Sequence, residues 1–131
     1  MRPPIDDSRW PLAVVQWSGD IEDATLNAFL VQMDAWLARG ERFGLLIDSR
    51  EARGMSPEQR ARLLSHMKSH AALTSQLLVQ AIVLRSLLQR TLFYGVNLIF
   101  PNPFPSKVFA DVAPAESWLL SMLEVARSGA D

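Results

Sequence analysis

Short apolar runs alternate with segments of helical periodicity along this chain. The runs are PLAVVQW at 11–17, FGLLID at 43–48, LLVQAIVL at 77–84 and SKVFA at 106–110. Each run predicts a strand, and FGLLID has so few polar positions that burial on both faces of a parallel sheet is indicated. The segment before the first run predicts a short additional edge strand at the N-terminus.

The segment between the first two runs predicts a helix from Asp20 to Arg39. Its apolar residues recur at the spacing of one helical stripe, and they are Leu26, Phe29, Leu30, Met33 and Leu37. Asp20 suits the N-cap, and Gly40 suits the position that follows the C-terminus.

Three further helices are predicted. One runs from Ser56 to about Leu73, one covers residues 87–100, and the last carries an apolar stripe from Ala115 to Ala126. The helix at 87–100 has few polar positions, so we expect it to be deeply buried or to meet a partner. Strands joined by helices require a parallel sheet with right-handed crossovers, so the predicted fold class is α/β.

Composition narrows the function classes. A chain of 131 residues that is 49% hydrophobic and 21% charged fits one domain covering residues 1–131. The net charge of −1 and the lack of a long basic run argue against nucleic-acid binding. The sequence has no cysteine and no apolar segment of about 18 residues, so we expect no membrane span and a cytoplasmic location.

Four segments stand out together: a strand ending in Ser18-Gly19 before an acidic helix start, and the stretches LLIDSR, AIVL and KVFADVAPAESWL. In combination they resemble the STAS-like superfamily, which includes the anti-sigma-factor antagonists and SpoIIAA-like stand-alone bacterial domains. The resemblance covers about residues 10–125. It implies a SpoIIAA-like β/α superhelix, with a four-stranded, mostly parallel sheet and helices on one face.

The resemblance also implies a function. Members are mostly non-enzymatic regulatory or scaffolding modules in bacterial signalling, which act through protein–protein interaction, and some relatives bind lipids or other small ligands. The antagonists carry a phosphorylatable serine at the start of the helix after the "LID" strand. Ser56 matches that position, although Pro57 stands where the antagonists have glycine.

Three interpretations of Ser56 follow: a phosphorylated switch, a nucleophile, or a helix cap. Ser56 and Gln59 have the spacing of a capping box, and Pro57 suits the first helical position. A phosphate would also be accommodated at a helix N-terminus. The pattern therefore predicts a cap and leaves a regulatory role open.

Other polar candidates follow the strands, because ligands of open α/β sheets gather beyond the carboxyl ends of the strands. We take Asp48, Arg50 and Arg85 as candidate regulatory or binding residues. Asp48 either belongs to a binding site or is a structural carboxylate that accepts loop N–H groups or pairs with an arginine.

The sequence predicts no catalytic residue, no cofactor and no metal site. His66 and His70 have a metal-compatible spacing, but the HExxH context is absent and Lys68 lies between them, so we interpret them as neighbours on a polar helix face. Ser56, His66 and Asp48 form no triad signature, and neither GxGxxG nor a P-loop occurs.

Two functions remain. In the first, the protein is an interaction module for an unidentified protein partner or a second copy of itself, through the helix at 87–100 or an exposed sheet edge. In the second, it carries a small apolar or lipid-like ligand between that helix and the sheet. Trp10 and Phe104 either anchor a partner or cap the ends of the core.

Overall fold

A five-stranded sheet forms the centre of the protein in a computed structural model, which describes residues 5–86, 88–91 and 104–129. The strands are β1 (Ile5–Arg9), β2 (Leu12–Asp20), β3 (Phe43–Gly54), β4 (Leu78–Val83) and β5 (Ser106–Phe109). They lie in the order β1-β2-β3-β4-β5. β1 is antiparallel to β2, and the other neighbouring strands are parallel.

Four helices lie entirely within the described residues and connect or follow the strands. They are α1 (Asp23–Ala38), α2 (Pro57–Ser69), α3 (Ala71–Leu77) and α4 (Val112–Gly129). The helix expected from Ser56 to Leu73 is interrupted at His70, whose φ of −115° and ψ of 19° leave the helical region. Residues 88–91 are helical, and the rest of the helix predicted at 87–100 lies outside the described residues. Within the described part of the chain, no helix is long and apolar enough to cross a membrane.

The predicted α/β class is confirmed, with the N-terminal edge strand bringing the sheet to five strands instead of four. The predicted stripe of α1 is buried, and Gly40 follows the helix with a φ of +70°, a conformation that glycine adopts without strain. The predicted N-cap is wrong. Glu22 takes that position because β2 continues through Asp20.

β3 is twice as long as predicted. Residues 44–48 pair with both β2 and β4, whereas the polar residues 49–54 pair with the end of β2 alone. The extension forms because β2 itself runs on to Asp20 and supplies backbone partners for a sequence that would otherwise form a loop. Asp48 therefore lies in the middle of a strand and not at its end.

Helices cover both faces of the sheet. Phe43, Leu45 and Ile47 of β3 pack in the cluster that includes α1, whereas Leu46 packs in a second cluster with Leu119 of α4. The expectation that all helices lie on one face is thus wrong in this detail. The alternating side chains of β3 and β4 are apolar on both faces, and the stripe of α4 covers the second face.

Two aromatic residues close the ends of the core. Phe104 is buried, and Trp10 is half-buried and stacks on Phe43 with ring centroids 5.1 Å apart. Arg39 covers the Trp10 ring, with its guanidinium carbon 4.3 Å from a ring centroid. These contacts confirm the interpretation of both residues as caps of the core.

Candidate functional site

An apolar cavity of about 500 Å³ lies between α1, α2 and the sheet. Its volume is within the range of about 300–1,000 Å³ that is typical of small-molecule sites. The apolar lining comes from the sheet, both helices and the connections that follow β4 and precede β5. It includes Trp17, Phe29, Met33, Ile47, Leu63, Leu64, Met67, Ile82, Leu84 and Phe104.

The cavity exists because α2 does not fill the sheet face beneath it. Leu63, Leu64 and Met67 point toward the core side of α2 but are only partly buried. Of the thirteen residues of α2, all within the described chain, Gln59 alone is fully buried. Leu64 and Met67 therefore face the sheet side of α2 and border the cavity.

Two arginines lie at the rim of this cavity. Arg53, near the end of β3, and Arg60, in the first turns of α2, are both exposed. Arg60 donates to the carbonyl of Met55 at 3.4 Å, and neither guanidinium forms an ion pair within the described residues. The cavity thus combines an apolar interior with two cations at its opening.

Gln59 fixes the start of α2 against the start of α1. Its Nε2 donates to the carbonyl of Ile21 at 2.6 Å and to Oδ1 of Asp23 at 2.8 Å. Its Oε1 accepts from the backbone N–H of Ser56 at 3.0 Å. Every polar atom of this buried amide is satisfied, as a buried polar side chain requires.

Ser56 is a helix cap. Its hydroxyl accepts from the backbone N–H of Gln59 at 3.1 Å, so the predicted capping box is confirmed, with Pro57 in the first turn. Ser56 is also exposed. The geometry explains Ser56 structurally and leaves its hydroxyl accessible, so a regulatory role remains a prediction.

Asp48 pairs with Arg50. Nε and a terminal nitrogen of Arg50 donate to the two carboxylate oxygens at 2.9 and 2.8 Å, and the backbone N–H of Arg50 adds a third bond at 3.2 Å. Burial acts to raise the pKa of Asp48, but the hydrogen bonds and the charge of Arg50 outweigh it and hold that pKa below its ordinary value. This is the arginine pair expected as the structural alternative.

Arg85 has a different partner. Its guanidinium contacts the carboxylate of Glu51 in the extension of β3 (residues 49–54), and both side chains are exposed. The four sequence candidates are therefore not assembled into one site by these contacts: Ser56 caps α2, Asp48 and Arg50 pair with each other, and Arg85 pairs with Glu51.

The Ser56, His66 and Asp48 combination is likewise not assembled as a triad. Ser56 bonds to Gln59, and Asp48 bonds to Arg50. His66 instead places Nε2 at 2.7 Å from Oδ1 of Asp34 on α1.

The contact of His66 belongs to a cluster that sequence reasoning missed. Nε2 of His70 lies 3.5 Å from the same Asp34 oxygen, and the two imidazole rings stack with centroids 4.7 Å apart. The spacing of the histidines was visible in the sequence. Asp34 was not, because it comes from another helix.

This fold resembles those of several solved structures, including the three that follow. An uncharacterized protein of the DUF3478 family with a SpoIIAA-like fold, from Shewanella loihica, is 21% identical, with a TM-score of 0.69 over 88% of this chain and 90% of that chain. The anti-sigma factor antagonist SpoIIAA in its unphosphorylated form is 12% identical, with a TM-score of 0.57 over 86% and 91%. An anti-sigma factor antagonist from Mycobacterium paratuberculosis is 18% identical, with a TM-score of 0.55 over 88% and 90%.

No family model matches the sequence, and no curated protein does. The structural likeness establishes that the chain has a SpoIIAA-like fold, as the sequence resemblance implied.

Proposed function

We propose that this protein is a non-enzymatic binding module that holds a small amphiphile, with its apolar part in the cavity and an anionic group at the rim. Of the two functions expected from the sequence, the geometry favours the carrier. The observation that carries this proposal is the apolar cavity of about 500 Å³ bordered by Arg53 and Arg60. The site differs in part from the expected one, because its described walls are mainly α1, α2 and the sheet, and Gln89 of the helix predicted at 87–100 lines it as well.

The cavity walls are mostly apolar and supply affinity mainly by burying apolar surface, and Ser49, Gln80 and Gln89 add polar side chains to the lining. Each methylene group transferred from water to an apolar site contributes about 0.8 kcal/mol. Affinity should therefore rise about fourfold per methylene until the cavity is filled. An anionic head group adds attraction to Arg53 and Arg60, which lie at the rim and are exposed.

A chain-length series tests the proposal. A fluorescent naphthalene sulfonate is bound first and then displaced by straight-chain carboxylates of increasing length and by the corresponding alcohols. We expect affinity to rise with length and then level off, and carboxylates to bind more tightly than alcohols. Arg53→Ala combined with Arg60→Ala should remove that head-group preference, whereas Lys68→Ala, an exposed cation on α2 outside the cavity, should not.

A second pair of variants tests the location. Leu64→Trp places a larger side chain at the cavity wall, and Leu120→Trp makes the same change at a 47% exposed position on α4. The longer carboxylates should lose about tenfold or more in affinity in the first variant only. Equal effects of the two substitutions, or no saturable displacement by any chain length, would refute the carrier.

Protein–protein interaction is the second candidate function. Two of the structurally similar proteins are anti-sigma factor antagonists, and the exposed Ser56 lies beside Met55, which lines the cavity. Native mass spectrometry of protein purified from its source cell distinguishes the candidates. A co-purified small-molecule mass supports the carrier, whereas a ligand-free dimer or a complex with another protein supports the interaction module.

A further inference from the structure

We propose that Asp34, His66 and His70 form a binding site for one transition-metal ion, such as Zn²⁺, which joins α1 to α2. None of these three residues is among the described residues that line the cavity, so this proposal does not depend on a ligand in the cavity. Oδ1 of Asp34 and the Nε2 atoms of both histidines converge, and the three ligand atoms lie within 4.8 Å of one another. Two imidazoles and a carboxylate are a ligand set suited to divalent first-row metals.

The distances suit such an ion. Nitrogen and oxygen ligands bind Zn²⁺ at about 2.0–2.2 Å, so two ligands of a tetrahedral site lie about 3.4 Å apart. The Asp34 oxygen is 2.7 Å from Nε2 of His66 and 3.5 Å from Nε2 of His70. Small side-chain rotations therefore reach the required geometry.

The hydrogen bonds around His70 fix the ring for ligation. Nδ1 of His70 lies 3.0 Å from the carbonyl oxygen of His66, which can only accept, and 3.0 Å from Oγ of Ser69, whose own proton is donated to that carbonyl at 2.8 Å. A proton on Nδ1 satisfies both contacts, and in that neutral tautomer the lone pair is on Nε2 and available to the cluster. A backbone carbonyl that holds the distal imidazole proton is the usual support for a metal-bound histidine.

In the ion-free protein, the 2.7 Å contact requires Nε2 of His66 to donate a proton to Asp34. The ion takes the place of this proton, which is released to solvent, and the carboxylate then bridges to both imidazoles through the metal. The three side chains are 21%, 32% and 46% exposed for His66, His70 and Asp34, so water has access to the remaining coordination positions.

The sequence prediction of no metal site depended on the local context of the two histidines. Lys68 lies between the two histidines in the sequence. Each histidine is two positions from Lys68 and so points about 200° around the helix from it, and Lys68 is exposed. The missing ligand is Asp34, which lies 32 residues before His66. Only the packing of α1 beside α2 brings it to the pair.

Titration of the full-length, tag-free protein with Zn²⁺ and with Co²⁺ tests the site. The chain contains two histidines and no cysteine, so no other position in it offers an imidazole or a thiolate. We expect one ion per chain by calorimetry and a Co²⁺ absorption spectrum that indicates nitrogen and oxygen ligands. Asp34→Asn, His66→Ala and His70→Ala should each weaken binding about tenfold or more.

Glu41→Gln, which removes an exposed carboxylate after α1, serves as the matched control and should leave the affinity unchanged. Circular dichroism checks that each variant is folded. Amide hydrogen exchange in α2 should slow when Zn²⁺ is added to the wild type and should not change in Asp34→Asn. Dissociation constants weaker than about 1 mM, or equal affinity in wild type and any one of the three ligand variants, would overturn the proposal.

Discussion

The two faces of the sheet are covered in different ways. On the α4 face, a Cβ added at Gly44 would lie 3.3 Å from Cδ2 of Leu119, so helix and strand are in close contact. Leu46, Val79 and Leu119 on this face are at most 1% exposed. On the other face, α2 borders a cavity and fully buries only Gln59 among its own residues.

The attachment of α2 combines partly buried apolar contacts of Leu63 and Met67 with several polar contacts. Gln59 bonds to Ile21 and Asp23, the guanidinium of Arg62 contacts the side-chain oxygen of Asn27, and His66 contacts Asp34. A protein hydrogen bond contributes only about 0.5–1.5 kcal/mol net, because water replaces it when it opens. Buried apolar contacts of α4 and α1 therefore stabilise the fold, whereas α2 can separate locally from α1 at lower cost and admit a ligand.

The largest expected effect compares one leucine from each face. Leu119→Ala should lower the free energy of unfolding by about 2–5 kcal/mol, since it creates a void in a filled core. Leu64→Ala should cost about 1 kcal/mol, because this side chain is half-exposed beside an existing cavity. Urea denaturation measures both. Equal losses would show that the α2 face is packed as tightly as the other.

Gln59→Glu should cost about 2–3 kcal/mol, which is the loss expected when a buried polar group lacks a partner. The new carboxylate can still accept from Ser56, but it faces the carbonyl of Ile21 and the carboxylate of Asp23 in place of a donor. Glu58→Gln, one residue earlier and exposed, is the control and should change stability by less than about 0.5 kcal/mol. If Gln59→Glu leaves the free energy of unfolding unchanged, the hydrogen bonds that attach α2 do not contribute to stability.

The fold was largely predictable, because each strand and the stripe of α1 repeat a local pattern. The β3 extension was not: SREARG has the composition of a loop, and it is a strand only because the end of β2 lies beside it. The cavity and the contact of Asp34 with His66 depend on the distance between α1 and α2, which periodicity does not encode. The capping box at Ser56 was predictable since all its parts lie within four residues.

A polar pair occurs on the α4 side as well, since strand alternation places Asp48 on the same side as Leu46. The pKa of Asp48 is lowered in the folded state, so its contribution is present above the ordinary aspartate value of about 3.9 and is lost as pH falls through the lower folded value. Asp48→Asn should thus cost about 1–2 kcal/mol at pH 7. The difference from wild type should shrink below about pH 4.

Glu51→Gln is the matched control for this pH series. Glu51 pairs with Arg85 where both are exposed, and exposed ion pairs contribute about 0–1 kcal/mol. Urea midpoints between about pH 3 and 7 should therefore be nearly the same for Glu51→Gln and wild type. A constant deficit of Asp48→Asn across this range would show that the pair with Arg50 does not stabilise the charged form.

The smallest expected effect is at Ser56, where α2 begins on the open face. Ser56→Ala removes the acceptor for the N–H of Gln59 and should cost about 1 kcal/mol, the usual loss for an N-cap. Ser56→Asp also caps a helix and places a negative charge at its N-terminus, so it should retain most of the wild-type stability.

If Ser56 is a cap alone, both variants should bind any ligand or protein partner as the wild type does. The expectation would be contradicted if the Ser56→Asp protein is folded but no longer binds a partner that the Ser56→Ala protein still binds. The two variant proteins differ in the charge at position 56, so the loss would be an effect of that charge. Such a result would identify Ser56 as a phosphorylation switch at the edge of the cavity.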